Sequence, residues 1–155
     1  MRNQTTVATI ALLVLLPACA SRGPDNRQII VPGNAQTLAT YSPAVRAGDL
    51  IFFSGQIGLR PGGQGLAGNV GDETRQSLDN LRALMNAANV GIRDLVKCTV
   101  FLADIRDYAA MNEVYAGFFE PDPAPARSAV GVAGLPAGAR VEIECIASVA
   151  KSNGE

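Results

Sequence analysis

Pro125-Ala126-Arg127-Ser128-Ala129-Val130, followed about fifteen residues on by Val141-Glu142-Ile143-Glu144, decides how this 155-residue chain is read. Both stretches read as strands. Ser128, Val130 and Val132 alternate with Ala129 and Gly131, and Val141, Ile143 and Cys145 alternate with Glu142 and Glu144. A period of two puts neighbours on opposite faces of a sheet. Arg127 thus opens an apolar strand, and two carboxylates share one face of the other. Such groups are costly to bury without partners, so they become the first candidates for chemistry.

Working outward, Pro121, Pro123 and Pro125 forbid helix and make a rigid approach to Arg127. Asp104–Phe119 is predicted as a helix with Tyr108, Met111, Tyr115 and Phe118/Phe119 as its apolar stripe. Leu95–Leu102 is predicted as a strand with Val96, Cys98, Val100 and Leu102 on one side. Asp72–Asn89 is predicted as the first long helix, with Leu78, Leu81, Met85 and Ala88 on one stripe and Gly91 stopping it. Leu50–Ser54 reads as an apolar strand after which Gly55 allows close backbone approach, and Arg60–Gly68 as a glycine-rich surface loop. Gln36–Val45 is expected at a sheet edge because of Pro43, and Gln28–Val31 as the first strand. The order strand, strand, strand, helix, strand, helix, strand, strand makes an α+β fold with two helices on one face of a sheet.

Composition narrows the chemistry. The length fits one domain with a moderate core. With 48% hydrophobic and 17% charged residues the chain is globular. It has no histidine, which removes Ser-His-Asp and Cys-His arrangements and most zinc sites. Cys19, Cys98 and Cys145 show no metal-cluster spacing, and no glycine-rich nucleotide motif is present, so no metal or cofactor is expected. A formal net charge of −1 with no basic run gives no footprint for nucleic acid.

The N-terminus reads as an export signal over residues 1–18. Arg2 precedes the apolar run Val7–Leu16, which is too short to span a bilayer and exits through small residues. Leu16-Pro17-Ala18-Cys19 looks like the lipobox of bacterial lipoproteins, with Cys19 lipidated as the new N-terminus, although Pro17 departs from the usual pattern. Ala18-Cys19-Ala20 also fits ordinary cleavage after Ala20, and both processing routes stand. Lipidation is the favoured route, and it places the protein in the bacterial periplasm or at the outer membrane. Removing residues 1–18 loses one arginine and no acid, taking the formal net charge from −1 to −2. Residues 19–27 read as a tether, in which the small, polar stretch Ala20–Asn26 reaches at most roughly 25 Å, residues 28–150 as the domain, and residues 151–155 as a tail.

Among candidate site residues, the planar guanidinium of Arg127 suits a two-pronged grip on a carboxylate. An internal salt bridge to Glu142 or Glu144 explains it equally well. Those two glutamates emerge roughly 7 Å apart, a spacing like that of a glycosidase acid/base pair. Sugar-stacking aromatics are scarce, however, with no Trp and three Tyr. A carboxylate-gripping arginine and a water-handling glutamate suffice for a cofactor-free hydrolase. Ser54 lacks a base to activate it and is expected, with the Gly55 backbone, as a hydrogen-bonding pocket wall. Tyr115 is expected in the core, and Asn112 in the pocket or merely solvated. Cys98 and Cys145 read as buried thiols, with a bridge as the lesser alternative.

The blocks Tyr41-Ser42-Pro43-Ala44-Val45, Gly48–Ile57, Gln76–Leu81, Val96–Leu102, Pro125–Ser128 and Val141–Glu144 together resemble the Rid (YjgF-like) family of reactive-intermediate deaminases, from about Gln28 to Val149. The resemblance implies a chorismate-mutase-like α+β fold assembled as a homotrimer. Its three sheets would form a central barrel, with a pocket at each subunit interface. It also implies cofactor-free hydrolysis of enamine and imine intermediates to 2-oxo acids and ammonia. Arg127 would bind the substrate carboxylate and Glu142 would handle the attacking water, while Tyr41, Ser54, Gly55 and Asn112 would line the pocket. Active members usually carry cysteine where Ala129 stands, leaving only its backbone N–H to contact the carboxylate. They commonly carry an aromatic where Ala124 stands, which implies a wider pocket here. Two other readings are set beside this one. The first is a non-catalytic, envelope-tethered trimer binding small carboxylates or a protein partner. The second is ribonuclease activity, as attributed to some relatives, which the acidity, the missing histidine and the export signal disfavour.

Overall fold

A computed structural model describes residues 27–33 and 40–149. Six strands form one sheet: β1 (Arg27–Ile30), β2 (Ala44–Ala47), β3 (Leu50–Ile57), β4 (Leu95–Leu102), β5 (Ala126–Gly131) and β6 (Val141–Ser148). Helix α1 (Val70–Ala87) joins β3 to β4, and α2 (Tyr108–Phe119) joins β4 to β5. The spatial order is β1-β2-β3-β6-β4-β5, with β4 and β5 parallel and the other neighbours antiparallel. Both helical crossovers step the same way along the sheet. Right-handed crossing therefore puts both helices on the same face, as the sequence order implies.

The core lies between that face and the helices. Ile51 and Phe53 of β3, Val100 of β4 and Ile143 of β6 meet Leu78, Leu81 and Met85 of α1 and Met111, Tyr115 and Phe119 of α2. Asn69 caps α1 by accepting a hydrogen bond from the Asp72 N–H, and Asp72 and Glu73 favour the positive end of the helix dipole. Among the described residues no helix is long and apolar enough to cross a membrane.

Several local expectations need correction. The residue that ends α1 in left-handed conformation is Asn89, at φ 55°, whereas Gly91 opens the following short turn. Asparagine tolerates that conformation by bonding locally. Val96 is 45% exposed, not core-facing, because a register shift between Leu95 and Lys97 turns Leu95 inward instead. Helix 104–119 is broken into a short 3-10 turn, Ile105–Asp107, and α2, and Tyr108 at its start is 42% exposed. β2 begins only at Ala44 and is not at an edge, since β1 covers it. Pro43 sits just outside β2, where its missing N–H costs nothing and its carbonyl accepts from Ser54 N–H at 3.0 Å. The proposed strand's residues 36–39 lie outside the described residues.

Cys98 and Cys145 are bridged, against the reading of both as free thiols. They stand directly opposite each other on β4 and β6, with Cα atoms 4.1 Å apart. Adjacency in the sheet, which the sequence leaves open, decides the matter. Cys19 lies outside the described residues.

Candidate functional site

The pocket begins with a fault in a strand. The β3–β6 register shifts between Phe53 and Gln56, so Ser54-Gly55 bulges out of the ladder. Bulges of this kind re-aim side chains beside functional sites. The Gln56 side-chain amide donates to the carbonyls of Ser54 (2.9 Å) and Gly55 (3.1 Å), pinning the bulge from beneath. The Ser54 hydroxyl donates to the Ser42 carbonyl at 2.6 Å, which commits its proton and leaves its lone pairs free to accept.

Glu142 on β6 lies across Gly55. A Cβ built on Gly55 would overlap the Glu142 carboxylate, so only glycine lets the carboxylate rest there. Around them is a cavity of about 410 Å³ lined by Tyr41, Ser54, Gly55, Glu142 and Glu144, closed by Ile57 and Pro136. Burial, and then the neighbouring Glu144 charge, push the Glu142 pKa up. Its carboxyl therefore holds a proton more readily than an ordinary glutamate, which suits a group that must both take and return one.

Arg127 stands elsewhere. It pairs in register with Cys98 and so projects from the helix side of β5, whereas Glu142 alternates with the core residues Val141 and Ile143 and projects from the open side. With β4 between them and three residues of offset along it, their backbones are about 14 Å apart. The Arg127 guanidinium lies 4.6 Å over the buried Tyr115 ring and 5.7 Å from the Tyr108 ring. It also donates to the Tyr108 hydroxyl at 2.9 Å. It pairs with no carboxylate among the described residues, so the internal salt bridge to Glu142 or Glu144 is absent. Desolvation pushes the Tyr115 pKa up to about 12, so it stays a neutral ring beneath the cation, and its hydroxyl has no partner among the described residues. Half-buried Asn112 is one helical turn beyond Tyr108, and Ala129 packs against the core on Arg127's side of β5.

The sequence candidates therefore fall into two half-sites. Tyr41, Ser54, Gly55 and Glu142 converge on the open face of the sheet, whereas Arg127 and Ala129 project from the opposite face, the one covered by the helix that carries Asn112. Three residues were missed. Ile57 pairs with Glu142 only because of the bulge, which no local pattern signals. Pro136 has a signal in Leu135-Pro136-Ala137-Gly138, the turn that leads into β6. The helical spacing of Tyr108 points it to the core, whereas in the structure its hydroxyl meets Arg127.

A profile of the family described as Endoribonuclease L-PSP matches residues 33–149. The chain belongs to this family. It is the Rid (YjgF-like) family whose motifs the sequence carries. The 2-iminobutanoate/2-iminopropanoate deaminase of Rattus norvegicus is 43% identical over 123 residues, covering 78% of this chain and 89% of the relative. The solved structure of the E. coli YjgF gene product superposes with a TM-score of 0.73 at 40% identity, over 78% of this chain and 98% of that one. E. coli TdcF with bound serine gives 0.72 at 38% identity, over 78% and 98%. The YjgF-like α+β architecture is thus shared with this Rid-family chain.

Proposed function

We propose that the protein is a hydrolytic deaminase of reactive enamine and imine intermediates, working as a homotrimer and releasing 2-oxo acids and ammonia. One observation carries the reading. A pocket built around a proton-retaining carboxylate, Glu142, accompanies an arginine fork, Arg127, that no carboxylate of the described chain neutralises. The name of the rat relative supplies the substrate class, and the serine held by TdcF is a small carboxylate of similar size.

The split of the site supports assembly. A single chain cannot direct Arg127 and Glu142 at one molecule, but the β5 edge of one copy set against the open face of another can. That open face is also apolar. Ile29, Val45, Phe52 and Ile146 form a row across four strands, with Ile29 55% and Phe52 43% exposed. Contiguous apolar surface of this kind marks an interface. Three sheets facing a common axis would cover it and leave the helices outside.

In the assembled site, Arg127 takes the substrate carboxylate through parallel hydrogen bonds, worth roughly 1.5–3 kcal/mol for a charged partner. Tyr108 and Tyr115 hold the guanidinium in place. Glu142 of the neighbouring copy accepts a proton from water as the water oxygen bonds to the imine carbon and the C=N pair moves onto nitrogen. The carboxyl returns that proton to the nitrogen of the tetrahedral adduct. The C–N bond then breaks, the hydroxyl oxygen forms the new C=O, and its proton leaves with the ammonia. Acid/base help of this kind supplies on the order of 10²–10⁴-fold.

The proposal extends to place. A core disulfide forms and persists in oxidising compartments, which agrees with an exported chain and supports the periplasmic reading, with Cys19 as the lipid anchor. Nuclease activity has the family's description behind it, but paired carboxylates in the pocket and a net charge of −1 disfavour a polyanion.

Iminium generated in situ by an amino-acid oxidase tests the reaction. The wild type accelerates ammonia release, and Arg127→Ala returns it to background with the oligomer intact. Release by Arg127→Ala equal to wild type ends the proposal. Thermal stabilisation by small carboxylates with no rate effect marks a non-catalytic binder instead, and RNA cleavage lost in Arg127→Ala revives the nuclease.

A further inference from the structure

The outer surface of the helical layer carries a second cleft, on the opposite side of the sheet from the Glu142 pocket. It measures about 400 Å³ and runs between α1 and α2. Leu78, Val114 and Phe118 give it an apolar floor, Arg75 and Arg82 rise from α1, and Glu113 faces them from α2. Positions 75, 78 and 82 follow the i, i+3, i+7 spacing of one helix stripe, so the Cα atoms of the two arginines stand about 10 Å apart along the axis, a gap their long side chains can close from both ends.

Two features of this cleft are not explained by the fold. The first is its uncompensated charge. Asp79 stands four residues after Arg75, a spacing that commonly pairs on a helix. Yet Arg75 forms no ion pair with it or with Glu113 among the described residues, and lines the cleft instead. Arg82 is stacked 4.5 Å over the Phe118 ring, and among the described residues its N–H groups meet no acceptor. The second feature is Gly117, in the last turn of α2. A Cβ there would meet nothing within 4 Å, and its backbone is not left-handed. Glycine weakens a helix relative to alanine, and here neither crowding nor backbone geometry requires it. What it does is keep the floor open beside Phe118.

We infer that this cleft binds a small monocarboxylate with an apolar body, of the short-chain fatty acid or aryl-alkanoate class. The body lies on Leu78, Val114 and Phe118 across the space left by Gly117, and the carboxylate is held by Arg75 and Arg82. Glu113 repels a second carboxylate, so dicarboxylates are excluded. The volume falls within the range of small-ligand sites. The site is separate from Arg127, which projects at the β5 edge, and it stands whether or not the deaminase reading does.

The test titrates 3-phenylpropanoate into the full-length protein, followed by methyl NMR of Leu78 and Val114 and by calorimetry. Saturable shifts at both methyl groups are expected, with affinity weakened about tenfold or more in Arg75→Gln/Arg82→Gln. Affinity at the cleft is unchanged in Arg127→Ala, binding is abolished by Gly117→Leu, and succinate gives no saturable shift. Absence of saturable shifts overturns the inference, as do shifts undiminished in the double arginine variant or lost in Arg127→Ala. Should Gly117→Leu fail to fold, the two surface arginine substitutions decide the outcome alone.

Discussion

Gly55→Ala probes the contact on which the proposed chemistry turns. The new methyl group would occupy the space of the Glu142 carboxylate and its adjoining carbons. Gly55 is not in a left-handed conformation, so the backbone itself accepts alanine. The conflict therefore falls on the tip of a flexible, half-buried side chain, which must retreat by on the order of 1 Å or more. Overpacking in a rigid core costs about 1–3 kcal/mol, but here the stability loss should stay below about 1 kcal/mol. Misplacing a reacting group by that distance costs on the order of 10² in rate. Expected, then, is a kcat roughly 10²-fold lower at nearly unchanged KM, because Arg127 still grips the carboxylate. The oxidase-coupled ammonia assay reads the rate, and thermal unfolding reads the stability. Adding Glu142→Asp to Gly55→Ala removes one methylene from the crowded side chain and should restore part of the lost rate. A Gly55→Ala protein within threefold of wild-type kcat and equally stable would refute the placement of Glu142 in the reaction.

Glu142 should also set the pH dependence. Its pKa is raised in the folded state, so its contribution to stability is full at low pH and is lost as pH rises through that pKa. As a base it works deprotonated, so kcat/KM should fall on the acid side. Glu144→Gln, by removing the smaller of the two causes, should move that limb to lower pH, and an unmoved or raised limb would contradict the assignment. Tyr108→Phe removes the 2.9 Å hydrogen bond to Arg127 but keeps the ring. Losing about 1 kcal/mol of positioning should raise KM several-fold and spare kcat, and a kcat collapse with unchanged KM would show a different role. Cys98→Ala/Cys145→Ala opens a bridge that spans 47 residues. By chain entropy this costs about 4 kcal/mol, visible as a lowered Tm, and a Tm unchanged from wild type would count against the bridge.

Much of the fold was legible because periodicity reports burial directly. Leu95–Leu102 was bounded correctly from its alternation alone, and the order of the eight elements follows from where the prolines and glycines interrupt that signal. What escaped were departures from regularity and relations across the sheet. The shift beside Val96 and the Ser54-Gly55 bulge depend on a partner strand, so a single strand's sequence does not announce them. Cys98 and Cys145 are neighbours only because β6 inserts between β3 and β4. Tyr108 keeps helical spacing with Met111 and Tyr115, yet it starts the helix at the β5 edge and turns to Arg127 instead of the core. The candidate site residues come from family motifs. Their division between two faces becomes visible only with the strand order, and the proposed second copy rests on it.

Mixing two inactive variants tests most directly whether each site is built from two chains. Arg127→Ala and Glu142→Gln are purified separately, dissociated, combined in equal amounts and reassembled. If Arg127 comes from one copy and Glu142 from its neighbour, random mixing regenerates a complete pair at about one quarter of the interfaces. Ammonia release should then recover to about a quarter of wild type. No recovery in verified mixed oligomers would mean that both residues serve from the same chain, and the proposed shared site would be wrong.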